Sequence, residues 1–233
     1  MRALYLKGVT AGYGRTVAIR DVDLVVPEGK AVALLGANGA GKSTLLNTAA
    51  GLIRPSSGEI WLGGRRVDHL PVHGRNRLGL CLIPEGHAIF RGLTVRENLA
   101  MYADGRPLQE AIDRAADAFP ILGERLGQEA GTLSGGQQQM LALSRAMLID
   151  AKVVLADELS MGLAPVIVDE IYEVVERFRR DGRSLVIVEQ FVGRALQLAD
   201  YVYILHKGKV AFVGEPEQCR QEHVFEHYLG SVA

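Results

Sequence analysis

One short stretch constrains this chain more than any other: Gly36-Ala37-Asn38-Gly39-Ala40-Gly41-Lys42-Ser43-Thr44. It follows an apolar run, Ala31 to Leu35, that reads as a strand, and it precedes the helical run Leu45 to Ala50. The pattern G-x-x-x-x-G-K-[ST] between a strand and a helix is that of a phosphate loop. The chemistry follows from geometry. Glycines let successive backbone N–H groups turn inward toward phosphate oxygens, and the helix N-terminus adds a partial positive charge. Lys42 then reaches the β- and γ-phosphates, and the Ser43 hydroxyl ligates Mg²⁺.

The rest of the chain alternates apolar, β-rich runs with helical patterns. Strand candidates are Leu4 to Val9, Val22 to Val26, Ala31 to Leu35, Leu78 to Ile83, Val153 to Ala156, Leu185 to Val188 and Tyr201 to Leu205. Several are short continuous apolar runs ending at Gly, Pro or an acidic residue, which suits parallel strands covered on both faces. Ile167, Ile171, Val174, Val175 and Phe178 recur at the spacing of one helix face, as do Leu108, Ala111, Ile112, Ala115 and Phe119 on a second helix. Between about Thr94 and Ile149 helical patterns run without a convincing strand. Segment 94–149 therefore reads as a helical insertion between 1–93 and 150–233, and the fold class is α/β.

Composition narrows the function. Lys and Arg number 26 against 27 Asp and Glu, a formal net charge of −1, whereas a general nucleic-acid binder would show a basic excess. No apolar stretch approaches the roughly 20 residues that span a bilayer. Lys7 interrupts the N-terminus before an apolar core of signal-peptide length develops, so we expect a chain that is not exported. Cys81 and Cys219 lie far apart and lack metal-ligand spacing, as expected of two reduced thiols.

A phosphate loop also needs a metal-holding carboxylate. Val153 to Ala156 ends in Asp157 and Glu158: Asp157 is placed to hold Mg²⁺ through its water shell, and Glu158 to polarise an attacking water as general base. Leu133-Ser134-Gly135-Gly136-Gln137-Gln138-Gln139 offers a further anion site, in which Ser134 caps the following helix with Gln137 and two glycines leave helix-start N–H groups open. With the phosphate loop upstream and Asp157-Glu158 downstream, this segment resembles the signature motif of ATP-binding cassette (ABC) ATPases. The resemblance runs over essentially the whole chain. It implies a P-loop NTPase fold of the ABC type, with a mixed β-sheet core, an N-terminal β subdomain and an inserted helical subdomain carrying the signature. It also implies ATP and Mg²⁺ as ligands, and head-to-tail pairs. In such pairs Ser134, Gly135, Gly136 and Gln137 of one subunit close on the γ-phosphate held by the loop Gly36 to Thr44 of the other.

Carried over residue by residue, the resemblance makes Tyr13 the ring that stacks on adenine. Glu85, after Pro84, stands where the family usually has Gln, and offers an oxygen to Mg²⁺ or its water. Gln190, ten residues before Asp200, stands where the family's His touches the γ-phosphate; it can donate a hydrogen bond but carries no titrating charge. Leu159 replaces the proline that usually follows the catalytic glutamate, which leaves the backbone beside the base less restrained.

Pro84-Glu85-Gly86, Ser160 to Pro165, Val188-Glu189-Gln190 and Tyr228-Leu229-Gly230 together look like the ATP-binding subunits of branched-chain amino acid importers. That resemblance implies a peripheral protein on the cytoplasmic face of the membrane and two permease subunits. A second ATPase subunit, homologous or identical, and indirectly an external solute-binding protein complete the set. Three other readings share part of the pattern. One is the ATPase of a urea or short-amide importer. Another is a soluble non-transport ABC ATPase, for which long coiled-coil insertions, basic arms or tandem cassettes are expected. The third is a regulatory ATP-binding module that does not hydrolyse.

Overall fold

The computed structural model describes residues 1–86, 88–189 and 192–221. Two β-sheets organise it. The first holds β1 (Arg2–Tyr13), β2 (Thr16–Pro27), β4 (Ser57–Leu62) and β5 (Arg65–Arg66), all antiparallel, in the order β2-β1-β4-β5. The second holds β3 (Ala31–Leu35), β6 (Leu80–Ile83), β7 (Val153–Asp157), β8 (Ser184–Val188), β9 (Tyr201–His206) and β10 (Lys209–Gly214). Its order is β10-β9-β3-β8-β7-β6, parallel except for β10, which pairs antiparallel at one edge.

Every strand candidate falls in a strand, the run from Leu78 entering its strand at Leu80. The first two candidates form an antiparallel hairpin at one edge of the first sheet, and the other five lie in the parallel part of the second. Strands β4, β5 and β10 are additional. Strand β4 buries Ile60 and Leu62 beside half-buried neighbours, β10 alternates exposed with half-buried positions, and β5 is a pair of exposed arginines.

Between β6 and β7 the chain is helical, as the sequence pattern predicts. After α1 (Lys42–Ala50) and the short α2 (Val72–Asn76) come α3 (Val95–Tyr102), α4 (Leu108–Ala118), α5 (Pro120–Glu124), a 3₁₀ turn at Ala130–Thr132 and α6 (Gly135–Leu148), with one isolated bridge joining Thr94 to Glu129. Thr94 starts α3 through a capping box with Glu97. Helices α7 (Pro165–Arg180), α8 (Val192–Leu198) and α9 (Pro216–Gln221) complete the described chain. No helix among the described residues is long and apolar enough to cross a membrane.

Alternation with period two divides the second sheet between one core on the face toward the first sheet and two on the other face, the smaller of these holding Ala33, Leu35, Val202 and Ile204. Val32, Leu34, Val153, Leu155, Val186 and Val188 face the first sheet, where they pack with Leu4, Leu24, Ile60 and with Leu45 and Leu46 of α1. Val154, Ala156, Leu185 and Ile187 face the opposite way, against Ile171, Val174, Val175 and Phe178 of α7. The same cluster continues without a break into Leu99, Phe119, Leu122, Leu141 and Leu143 of the helical segment. Fully burying one such side chain contributes about 1.5–3 kcal/mol, so this shared core holds the helices to the sheet.

The parallel strands all deliver their C-terminal ends to one edge. There β3 runs into Gly36, β6 into Pro84-Glu85, β7 into Asp157-Glu158 and β8 into Glu189. Open parallel sheets place their ligands at this edge.

Candidate active site

The chain leaves β3 at Gly36 with a φ of +152°, and a Cβ there would lie 2.4 Å from the backbone oxygen of Leu205. Only glycine fits so close to a neighbouring strand. The loop is tied internally by Ala40 N donating to Ala37 O at 3.0 Å, and to the β9–β10 turn by Gly208 N donating to Ala40 O at 3.0 Å. Lys42 Nζ folds back into the loop, donating to Gly36 O at 2.8 Å and Ala37 O at 3.2 Å. Burial lowers the Lys42 pKa, and the charges of Glu158 and Asp157 oppose that shift. An anion that replaces the two carbonyls therefore gains a desolvated ammonium as its partner.

The far end of the same helix is closed by a residue that motif reading passes over. Arg75 is 1% exposed, and its guanidinium donates to Thr48 O and Ala49 O, both at 2.7 Å, to Leu70 O at 3.0 Å and to Asp68 O at 3.3 Å. It thus satisfies the carbonyls at the C-terminus of α1 and complements the helix dipole.

Across the cleft stands the acidic pair. Asp157 is buried; burial raises its pKa, the Ser43 hydroxyl opposes this by hydrogen bonding, Glu85 adds to the rise, and Lys42 counters it. Its Oδ1 has no hydrogen-bond partner among the described residues. A buried orphan carboxylate oxygen beside a hydroxyl, with Glu85 close by, is the hard-oxygen donor set that Mg²⁺ takes. These residues fit the ion. Glu158 adopts a φ of +52°, a conformation that costs a non-glycine residue about 1–3 kcal/mol and marks functional sites. Its N–H donates to Val188 O at 2.9 Å, and Leu159 is buried in the helical-side core, so packing supplies a restraint where no proline ring does. Burial raises the Glu158 pKa, Glu85 and Asp157 raise it further, and Lys42 acts against them.

Asn38, Gly39, Gly41, Lys42, Ser43, Thr44, Glu85 and Glu158 line one cleft of about 490 Å³, with Ala18 and Met161 as linings the motifs did not suggest. Tyr13 does not line it; it ends β1 with 58% of its surface exposed. Ser134 to Gln137 do not line it either. Ser134 forms the expected capping box at the start of α6, its Oγ accepting from Gln137 N at 3.3 Å while Ser134 N donates to Gln137 Oε1 at 3.1 Å. Gly136 has a packing reason as well as an anion-binding one, because a Cβ there would lie 2.3 Å from Ile167 Cγ2. Gln190 and Tyr228-Leu229-Gly230 lie outside the described residues.

A strand-loop-helix with a lysine folded into it, facing a buried aspartate and a strained glutamate at the end of a nearby parallel strand, defines a P-loop ATP-binding protein. Residues 19–160 match the ABC transporter family. The chain belongs to that family, as an ATPase cassette. It is 44% identical over 205 residues to the high-affinity branched-chain amino acid transport ATP-binding protein BraG of Pseudomonas aeruginosa, covering 87% of this chain and 88% of BraG. It is 38% identical over 222 residues to the probable branched-chain amino acid transport ATP-binding protein LivF of Archaeoglobus fulgidus, covering 94% of each. Among solved structures, the ATP-binding subunit of an ABC transporter superposes with a TM-score of 0.85 at 28% identity, over 95% of this chain and 93% of that one.

Proposed function

We propose that this chain is the ATP-hydrolysing subunit of an importer for branched-chain, hydrophobic amino acids. The observation that carries the chemistry is the single cleft shared by Lys42, Ser43, Glu85 and Glu158, beside the orphaned Asp157 oxygen. The solute class is supported by the two relatives whose names specify branched-chain amino acid transport.

In this reading Lys42 exchanges the Gly36 and Ala37 carbonyls for β- and γ-phosphate oxygens, and the loop from Gly36 to Thr44 cradles the phosphates with backbone N–H groups. Tyr13 stacks on adenine. Ser43, Asp157 and Glu85 would hold Mg²⁺, which when bound neutralises charge on the β- and γ-phosphate oxygens. Glu158 accepts a hydrogen bond from water and orients it toward the γ-phosphorus, while Gln190 donates to a γ-phosphoryl oxygen.

The signature residues Ser134, Gly135, Gly136 and Gln137 stand outside their own chain's cleft. They serve the cleft of a second subunit, either another copy or a homologous chain, in a head-to-tail pair. The Ser134 hydroxyl accepts from Gln137 yet keeps its own proton to donate to a γ-phosphate. Closure and reopening of the pair move the helical unit 94–149 against two permeases on the cytoplasmic face of the membrane, and a solute-binding protein supplies the far side.

Two measurements test this. Glu158→Gln is expected to lose about 10²-fold or more in turnover and to accumulate an ATP-stabilised dimer on size exclusion; wild-type turnover refutes the base. The chain co-purified with its permeases should be stimulated by a leucine-loaded binding protein, and stimulation by urea or an amide instead refutes the solute class.

A further inference from the structure

We propose that Glu189 is a positioning residue for hydrolysis: through Ser160 it fastens the segment carrying Glu158 to the end of β8, and so sets the base. The proposal rests on the reading of Glu158 as the base.

The segment after β7 is held at two points. Glu158 N donates to Val188 O at 2.9 Å, and two residues further on Ser160 Oγ donates to Glu189 Oε2 at 2.5 Å. Leu159, between them, is buried, and so are Ser160 and Glu189, at 1% and 4% exposure. The hydroxyl–carboxyl contact is thus short, shielded from water and aimed from one site segment to the next.

A carboxyl group is a poor choice for packing alone, since burying it costs free energy unless its oxygens are fully satisfied. They are not. Glu189 Oε1 has no hydrogen-bond partner among the described residues, and neither has the Tyr172 hydroxyl of α7. The two groups nevertheless lie close enough for the Tyr172 hydroxyl to pull the carboxyl's pKa down against burial, as a nearby donor does. Apolar side chains of similar size would hold these elements together at lower cost. What the carboxyl adds is a directional bond to the loop that bears the base. Glu189 does not line the cleft, so its influence passes through Ser160.

Misplacing a reacting group by about 1 Å can cost about 10²-fold in rate. Glu189→Ala is therefore expected to lower kcat by roughly 10- to 100-fold with the KM for ATP within about threefold of wild type, because the phosphate loop is untouched. Glu189→Gln, whose amide oxygen still accepts from Ser160, should recover to within about threefold of wild type. Ser160→Ala should reproduce Glu189→Ala, and the double variant should lose no more than either alone. In a Glu158→Gln background Glu189→Ala should have no further effect on turnover.

Four results overturn the proposal in variants whose melting shows them folded. These are wild-type kcat in Glu189→Ala, a rise in KM matching the fall in kcat, a Gln variant as impaired as Ala, or full additivity of the Ser160 and Glu189 changes. Wild-type turnover in Glu158→Gln alone refutes the base assignment separately, and the Ser160–Glu189 cycle still decides whether those two residues act together.

Discussion

Replacing Arg75 with methionine tests whether the phosphate-binding helix depends on its remote end. Methionine keeps most of the length and the apolar stem but removes the guanidinium. Ala49 O and Leu70 O then lose their donors at 2.7 and 3.0 Å, whereas Thr48 O keeps the Gly51 N–H at 3.2 Å. Orphaning a buried polar group costs about 1–3 kcal/mol, so the pair costs about 2–6 kcal/mol before relaxation. The change also relieves the burial of a charge, a burial strong enough to lower the Arg75 pKa to about 10 while leaving it protonated near neutrality. The net loss is then roughly 2–4 kcal/mol, a sizeable share of the 5–15 kcal/mol typical of a folded domain. For a chain of this size each kcal/mol moves Tm by about 2–4 °C, so calorimetry should record a fall of roughly 4–16 °C. Arg75→Lys, a compact charge that cannot reach four carbonyls at once, should fall in between. ATP, by binding the folded chain, should restore part of the loss. A methionine variant melting within about 2 °C of wild type would refute the view that the guanidinium holds α1 in place.

Two further outcomes follow from the packing. Gly136→Ala drives a methyl group into Ile167 and should cost about 1–3 kcal/mol; adding Ile167→Ala should recover part of it, and strict additivity in thermal unfolding would show that the two positions do not touch. Burial raises the Glu189 pKa, with Ser160 and Tyr172 opposing the shift and Glu158 reinforcing it, so above the ordinary glutamate range the folded chain holds a proton that the unfolded chain releases. Stability due to this group is present at low pH and declines as pH rises from the ordinary value through the raised one. Glu189→Gln cannot ionise. Its Tm advantage over wild type should widen as pH rises above the ordinary glutamate value of 4.5, and a gap constant with pH would contradict the linkage.

The central strands were legible because burial on both faces leaves an unbroken apolar run, as in Ala31 to Leu35 and Val153 to Ala156. Strand β10, Lys209 to Gly214, alternates exposed with half-buried residues at an edge, and β5 is two exposed arginines held by pairing alone, so neither carries a distinctive apolar signal. The direction of pairing was hidden for a similar reason: β1 and β2 are apolar enough to pass for covered strands, yet they pair antiparallel in a separate sheet. In the site, the phosphate loop and Asp157-Glu158 declare themselves because fixed spacing is part of their chemistry. Arg75 and the Ser160–Glu189 bond do not. A lone arginine in a five-residue helix reads as solvated, and a glutamate at a strand end reads as another surface charge. Only tertiary packing reveals that both are enclosed.

The apolar cluster shared by α3 to α6, α7 and one face of β6 to β8 also has a mechanical meaning. Two bodies with separate interiors swing about a flexible connection. A body with one common interior deforms by sliding its packed helices through small steps, since interdigitated side chains have few alternative arrangements. A disturbance that begins at the phosphates thus spreads as elastic strain in a close-packed solid, and its reach is governed by stiffness, as in a lever carved from the same block as its fulcrum.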